Sequence, residues 1–147
     1  MERELAGVDD VVASYRPSAQ EWGVKQTIAH LIDNERGLQY WLTCMVEAAE
    51  AGGYTENLDI RLESIICAHP TLRDLIRAYK KSRSETVAFV DLFPDSFTQH
   101  KGTYWEAGYS VLDTASHTYE HIGRMGALVQ AARNEREKSD QLAASES

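Results

Sequence analysis

Cysteine is scarce in this sequence: Cys44 and Cys67 are the only two in 147 residues. Two cysteines make neither a disulfide framework nor a paired-cysteine metal motif, so a reducing, cytoplasmic setting is expected and any metal must be held by other residues. Neither cysteine has a base beside it in sequence, and both are read as buried structural thiols. Long apolar runs are also missing. With no stretch of about eighteen apolar residues, and a charged start in place of an apolar signal core, neither membrane spanning nor secretion is expected. Positive charge is the third shortage, since 15 Lys and Arg against 23 Asp and Glu leave a formal net charge of -8. That balance disfavours nucleic-acid backbones, which are gripped by clusters of Lys and Arg. The short basic stretch Arg77, Lys80, Lys81 and Arg83 reads as a solvated helix face. Fixed-period repeats are absent, and alternating strand-like patterning is confined to a brief piece around Phe97 to Tyr109.

What the sequence does contain is helical periodicity. A composition of 43% hydrophobic and 26% charged residues suits one globular domain with a real core. From Gly23 to Ala51, Val24, Ile28, Leu31, Leu38, Leu42, Met45 and Ala49 recur at three and four, with Gly52 and Gly53 as the stop. Trp22 stands just before the start as an apolar staple. A second long helix is predicted after Pro70, capped by Thr71 with Asp74 three residues on, and ended by Pro94. Its stripe is Leu72, Leu75, Ile76, Tyr79, Thr86, Phe89, Val90 and Phe93. Ser110 and Asp113 repeat that capping pattern for a third long helix carrying Val111, Leu112, Ala115, Ile122, Met125 and Val129. Glu2 to Tyr15 supplies a short first helix through Leu5, Val8, Val11 and Val12. The connection 54–69 carries some local helix through Ile60, Leu62, Ile65 and Ile66, and is long enough to make its flanking helices parallel. The expectation is an all-α four-helix bundle with a shortened first helix, a domain over 1–134 and a flexible tail over 135–147.

The chemistry-bearing residues are histidines. His117 and His121 lie at i and i+4 on one helix, so both rings emerge on one side and can reach one ion. His30, on another helix and next to the Leu31 stripe, is the candidate third ligand. The alternative is that these rings are half-buried polar flanks of the core with no ion at all. Three imidazoles and a water suit zinc, while further waters or a carboxylate suit nickel, iron or manganese. Glu35, on the apolar side of its helix, and Glu120, beside the histidine pair, are candidates to orient a ring nitrogen. No catalytic residue beyond the metal centre is identified. His69 and His100 read as loop residues.

The segment Trp22-Gly-Val-Lys-Gln-Thr-Ile-Ala-His30-Leu31-Ile-Asp-Asn-Glu35, followed by His117-Thr-Tyr-Glu-His121-Ile-Gly-Arg-Met125, resembles the DinB-like metal-dependent family (DinB/YfiT-like metalloenzymes) over roughly residues 17 to 129. In that family a tryptophan precedes the second bundle helix, a histidine sits two turns in within a His-Leu pair, and the fourth helix carries His-x-x-x-His. His30, His117 and His121 match those ligand positions. Gly23 departs from the usual capping Ser or Thr, and Gln26 replaces the usual Glu. The resemblance implies a four-helix bundle, often a homodimer, with a nickel, zinc or related divalent ion in an open pocket. It also implies, for characterised relatives, transferase or isomerase chemistry on a low-molecular-weight thiol. On that basis the expected function is a divalent-metal-binding bundle acting as a metal-dependent thiol S-transferase or a related thiol-dependent enzyme. The alternatives are a non-enzymatic metal-stabilised bundle and a dimeric interaction protein.

Overall fold

A computed structural model describes residues 1–50, 52 and 57–145. Five α-helices follow one another: α1 (Asp10–Ser14), α2 (Val24–Val46), α3 (Leu58–Ala68), α4 (Leu72–Asp91) and α5 (Lys101–Ser145), with a 3-10 turn over Asp95–Gln99 before the last. One short helix and four longer ones thus make an all-α bundle. The fourth long member is α3, which grows from the apolar positions Leu62 and Ile65, both buried. The N-terminal stretch gives only five helical residues, because Gly7 takes a left-handed φ of 71° and the chain restarts at the Asp9 cap.

Contacts along α2 give the topology. Lys25, near its start, donates to the Pro70 carbonyl at 2.6 Å just ahead of α4, and Gln39, farther along, donates to the Ser82 carbonyl and the Thr86 hydroxyl. Helices α2 and α4 therefore run parallel, as the long connection allowed. Helix α3 returns the chain between them, pinned to α2 by a two-pronged Arg61–Asp33 ion pair at 3.0–3.2 Å. Helix α5 runs antiparallel to α2, with His117 opposite His30 and the 121–125 turn beside the α2 start. At that end Asp10 of α1 accepts from the Leu72 amide at 2.6 Å, and Arg136 of α5 pairs with Asp9 at 2.8 Å.

Two apolar clusters fill the bundle. The larger joins Leu5, Val12, Ile28, Leu31, Ile32, Leu62, Leu75, Met125 and Val129, and the smaller joins Leu38, Leu42, Phe97 and Ala107 near the α4–α5 turn. Between them lies a polar layer. Glu35 is wholly buried, and its carboxylate accepts from Arg83 at 3.1 Å and from the Thr86 hydroxyl at 2.7 Å. Arg83 therefore does not belong to a solvated face, as its basic neighbours had suggested; it reaches inward to pair a charge that is costly to bury alone.

Three helix boundaries differ from the sequence expectation. Helix α2 ends at Val46, short of Ala51 and Gly53, which lie outside the described residues. Its end is made by Ala48 in a left-handed conformation (φ 52°), with the Ala48 amide on the Met45 carbonyl and the Ala49 amide on the Cys44 carbonyl. This is the glycine-type closing motif built on alanine. Helix α5 begins at Lys101, nine residues before the predicted Ser110 cap, and Ser110 instead donates to the Glu106 carbonyl inside the helix. Burial of Ala107 and Phe97 against Leu38 and Leu42 holds this segment helical despite its glycines and aromatics. Helix α5 also runs through the expected tail to Ser145, with every side chain from Arg133 to Ser145 exposed, in a run of Glu, Lys, Gln and Ala that favours helix without a core. Cys44 is buried as expected, but Cys67 is exposed.

Candidate metal centre

The centre is built from two helix faces. Helix α2 can start where it does because Gly23 passes close under the α1 loop: a Cβ there would lie 2.0 Å from the Tyr15 carbonyl oxygen. A Ser or Thr cap does not fit. Gln26 supplies the side-chain half of the cap by accepting from the Gly23 amide at 3.2 Å. Two turns on, His30 projects from α2 toward α5. His117 and His121, one turn apart on α5, project back.

One ring nitrogen from each of the three histidines lies within 4.8 Å of the others. His117 Nε2 is 2.9 Å from His30 Nε2 and 3.1 Å from His121 Nε2. A neutral imidazole nitrogen carries either one hydrogen or one lone pair. His117 Nε2 can therefore make one full hydrogen bond with its two neighbours, and whichever tautomers the rings adopt the other contact is poorly satisfied. A cation accepting from all three removes that conflict, and an ion about 2.0–2.1 Å from each nitrogen holds such nitrogens roughly 3 Å apart. The three residues fit a divalent ion in donor type and number, and the two spacings that involve His117 match those around one ion, while the set as a whole lies within 4.8 Å and closes further around a bound ion.

Burial and charge tune the donors. His30 is pushed down to about 4, first by burial and then by the fields of His121 and His117, against a small opposing pull from Asp33. His121 is lowered by burial, His117 and Arg124, with Glu120 opposing. At neutral pH both are free of the extra proton that would block coordination. Nδ1 of His30 is buried with no hydrogen-bond partner among the described residues, which supply no oxygen acceptor of the kind that usually fixes a ligating imidazole from behind.

Trp22 does more than staple the helix. Its ring lies 4.8 Å from that of His30 and 6.4 Å from that of His121, forming a wall over the centre. Beyond it a cavity of about 440 Å³ is lined by Trp22, Thr27, His121, Arg124, Ala127 and Leu128, with Gln20 and Glu21 at the rim. One histidine thus opens onto a space of ligand size.

The two candidate orienting carboxylates are placed elsewhere. Glu35 spends its oxygens on Arg83 and Thr86, and Glu120 is exposed and reaches His121 only through its field. His69 ends α3, His100 precedes α5, and neither joins the cluster. Sequence reasoning missed Arg124 and the wall formed by Trp22; the one signal for Arg124 was its place three residues past His121 on the same helix. Among the described residues no helix is long and apolar enough to cross a membrane. Comparison of the chain with protein-family models, with curated proteins and with solved structures finds no match.

Proposed function

We propose that the chain is a divalent-metal-binding helical bundle of the DinB-like kind, working in a reducing, cytoplasmic setting as a metal-dependent thiol S-transferase or related thiol-dependent enzyme. The observation that carries the metal reading is the grouping of three histidine ring nitrogens from two helices within 4.8 Å of one another, with His117 Nε2 at 2.9 Å from His30 and 3.1 Å from His121. The order of Trp22, His30 and the His117–His121 pair along the chain supports the family reading. A bound divalent ion supplies Lewis acidity there, favouring the deprotonated form of a thiol or water. Nickel or zinc suits the three neutral nitrogens best, with iron or manganese also compatible if oxygen donors complete the set.

The chain's own residues have separate tasks. Burial keeps the His30 ring neutral, so its lone pair is available at neutral pH. With Glu35 engaged by Arg83 and Thr86, no carboxylate among the described residues joins the three nitrogens, Asp33 and Glu120 act on them only through their fields, and an incoming anion is favoured. Trp22 shields His30 from water on one side, and the cavity beside His121 admits a second reactant. No side-chain nucleophile is called on, since Cys44 and Cys67 stand outside the cluster.

A second reading, a metal staple without turnover, is favoured by the fact that the three ligands tie α2 to α5. Cobalt(II) loading separates the two. On the thiol reading, adding 2-mercaptoethanol to the cobalt protein produces a thiolate charge-transfer band, and a panel of thiols with electrophilic acceptors shows metal-dependent turnover. An unchanged cobalt spectrum, with helicity lost on chelation, rejects that reading in favour of the staple.

A further inference from the structure

The exposed cations of α4 do not share one environment. Lys80 pairs with Glu2 of the N-terminal stretch, whereas Arg77 and Lys81, one turn apart, border a cavity between α2 and α4. Gln39 of α2 donates to the Ser82 carbonyl, which sets Arg36, one turn earlier on α2, across the seam from them. His69, at the end of α3, closes the space between. The result is a cavity of about 370 Å³ with the buried Ser82 at its floor and the exposed Glu85 at its rim. It shares no residue with the histidine centre.

Two donors here are left without partners. Arg36 makes no hydrogen bond or ion pair among the described residues. Ser82 is 6% exposed; its carbonyl takes Gln39 and Thr86, but its hydroxyl has no partner among the described residues, although buried hydroxyls are normally hydrogen-bonded. Lys81 has only a loose contact with Glu85 at 3.6 Å. Arg77 pairs with Asp74, whose other oxygen already takes the Thr71 hydroxyl at 2.7 Å. Three cations against two carboxylates reverse the local charge of a chain that has 15 Lys and Arg against 23 Asp and Glu. Such a cluster of like charges repels itself until an anion enters.

We propose that this cavity binds a small, soluble phosphomonoester, with Arg36, Lys81 and the Ser82 hydroxyl holding its phosphoryl group and Arg77 adding charge. Guanidinium, ammonium and hydroxyl come from two helices, and a tetrahedral dianion offers them acceptor oxygens in more directions than a planar carboxylate does. Asp74 and Glu85 repel a run of phosphates, which disfavours nucleic acid. The volume lies at the small end of ligand sites, about 300–1,000 Å³, and leaves room for a short organic remainder.

Titration of the full, chelated and dialysed chain with glycerol 3-phosphate tests this, read by calorimetry and by amide chemical shifts. With no metal present, its failure and that of the metal reading are separate results. Saturable binding with Kd below about 1 mM is expected, with shifts centred on Arg36 and Ser82. Arg36→Gln and Lys81→Gln should each weaken it about tenfold or more, and Ser82→Ala roughly threefold, in line with the loss of charged and neutral hydrogen bonds. Lys138→Gln, an exposed cation on α5, should leave it unchanged. No saturation below about 10 mM overturns the proposal, as do shifts centred on His117 and His121. So does equal weakening by Lys138→Gln, undiminished binding by Arg36→Gln, or capture by phosphatidic acid vesicles without binding of the soluble ester.

Discussion

Removing Arg83 should be among the most damaging single changes outside the histidine cluster, although its neighbours in sequence are ordinary surface cations. The Glu35 side chain is 1% exposed and that of Arg83 32% exposed, with 3.1 Å between them. The second oxygen of Glu35 takes the Thr86 hydroxyl at 2.7 Å. Truncating the cation leaves a buried carboxylate with one neutral donor, and breaking such pairs costs about 3–5 kcal/mol. Partial access of water to Arg83 places the expected loss for Arg83→Met near the lower end, about 3 kcal/mol. Glu35→Met alone removes the charge that needs a partner and should cost less. The double variant should recover most of the loss, because two apolar side chains of similar volume can replace an ion pair at little cost. Urea denaturation of the four proteins closes the cycle. A coupling energy below about 0.5 kcal/mol would refute the reasoning, since the pair would then behave as an exposed one.

Two backbone positions give sharper local tests. Gly23→Ser should lower stability by about 2 kcal/mol or more, despite serine's preference for helix caps, because its Cβ collides with the Tyr15 carbonyl; a neutral or raised melting temperature contradicts the close approach. Ala48→Gly should raise stability by about 1 kcal/mol by relieving the left-handed φ at the end of α2, read as a higher urea midpoint at constant slope. Acidification of the metal-free protein gives a third. His30 has a folded value near 4 against 6.5 for the free side chain, so the unfolded chain takes up the proton first. Stability is then complete above pH 6.5, falls as pH drops toward 4 and flattens below. For a half-buried ring the loss should be about 1–2 kcal/mol after allowance for solvent, and His30→Phe should flatten the slope across that window.

Much of the fold was legible because its helices are written in apolar spacing and caps that act locally. Val24 to Leu42 and Leu72 to Phe89 carry their own periodicity, and the Thr71 cap forms as read, with the Asp74 amide on the Thr71 hydroxyl at 3.1 Å. The boundaries that escaped prediction are those decided by tertiary contact. The first turns of α5 read as a strand fragment because glycine and aromatic residues disfavour helix, yet packing of Ala107 on Leu38 and Leu42 overrides propensity. The end of α2 was assigned to glycines because nothing in the sequence marks Ala48 as the residue that turns. The histidines were legible as a pattern, since i and i+4 spacing fixes a shared face. Where Glu35 points was not. Its inward position was visible, but its partner lies 48 residues away in sequence, and only the parallel packing of α2 and α4 brings Arg83 to it.

The central claim is that His30, His117 and His121 together hold one divalent ion. Elemental analysis of untagged protein, with zinc and nickel titrated into the chelated form by calorimetry, measures this directly. The account predicts one equivalent per chain for the wild type, and less than about a tenth of an equivalent at micromolar ion for His30→Ala and for His117→Ala, with helical circular dichroism retained. Stoichiometric binding that survives His117→Ala, or a wild-type chain that takes up neither ion, would contradict it.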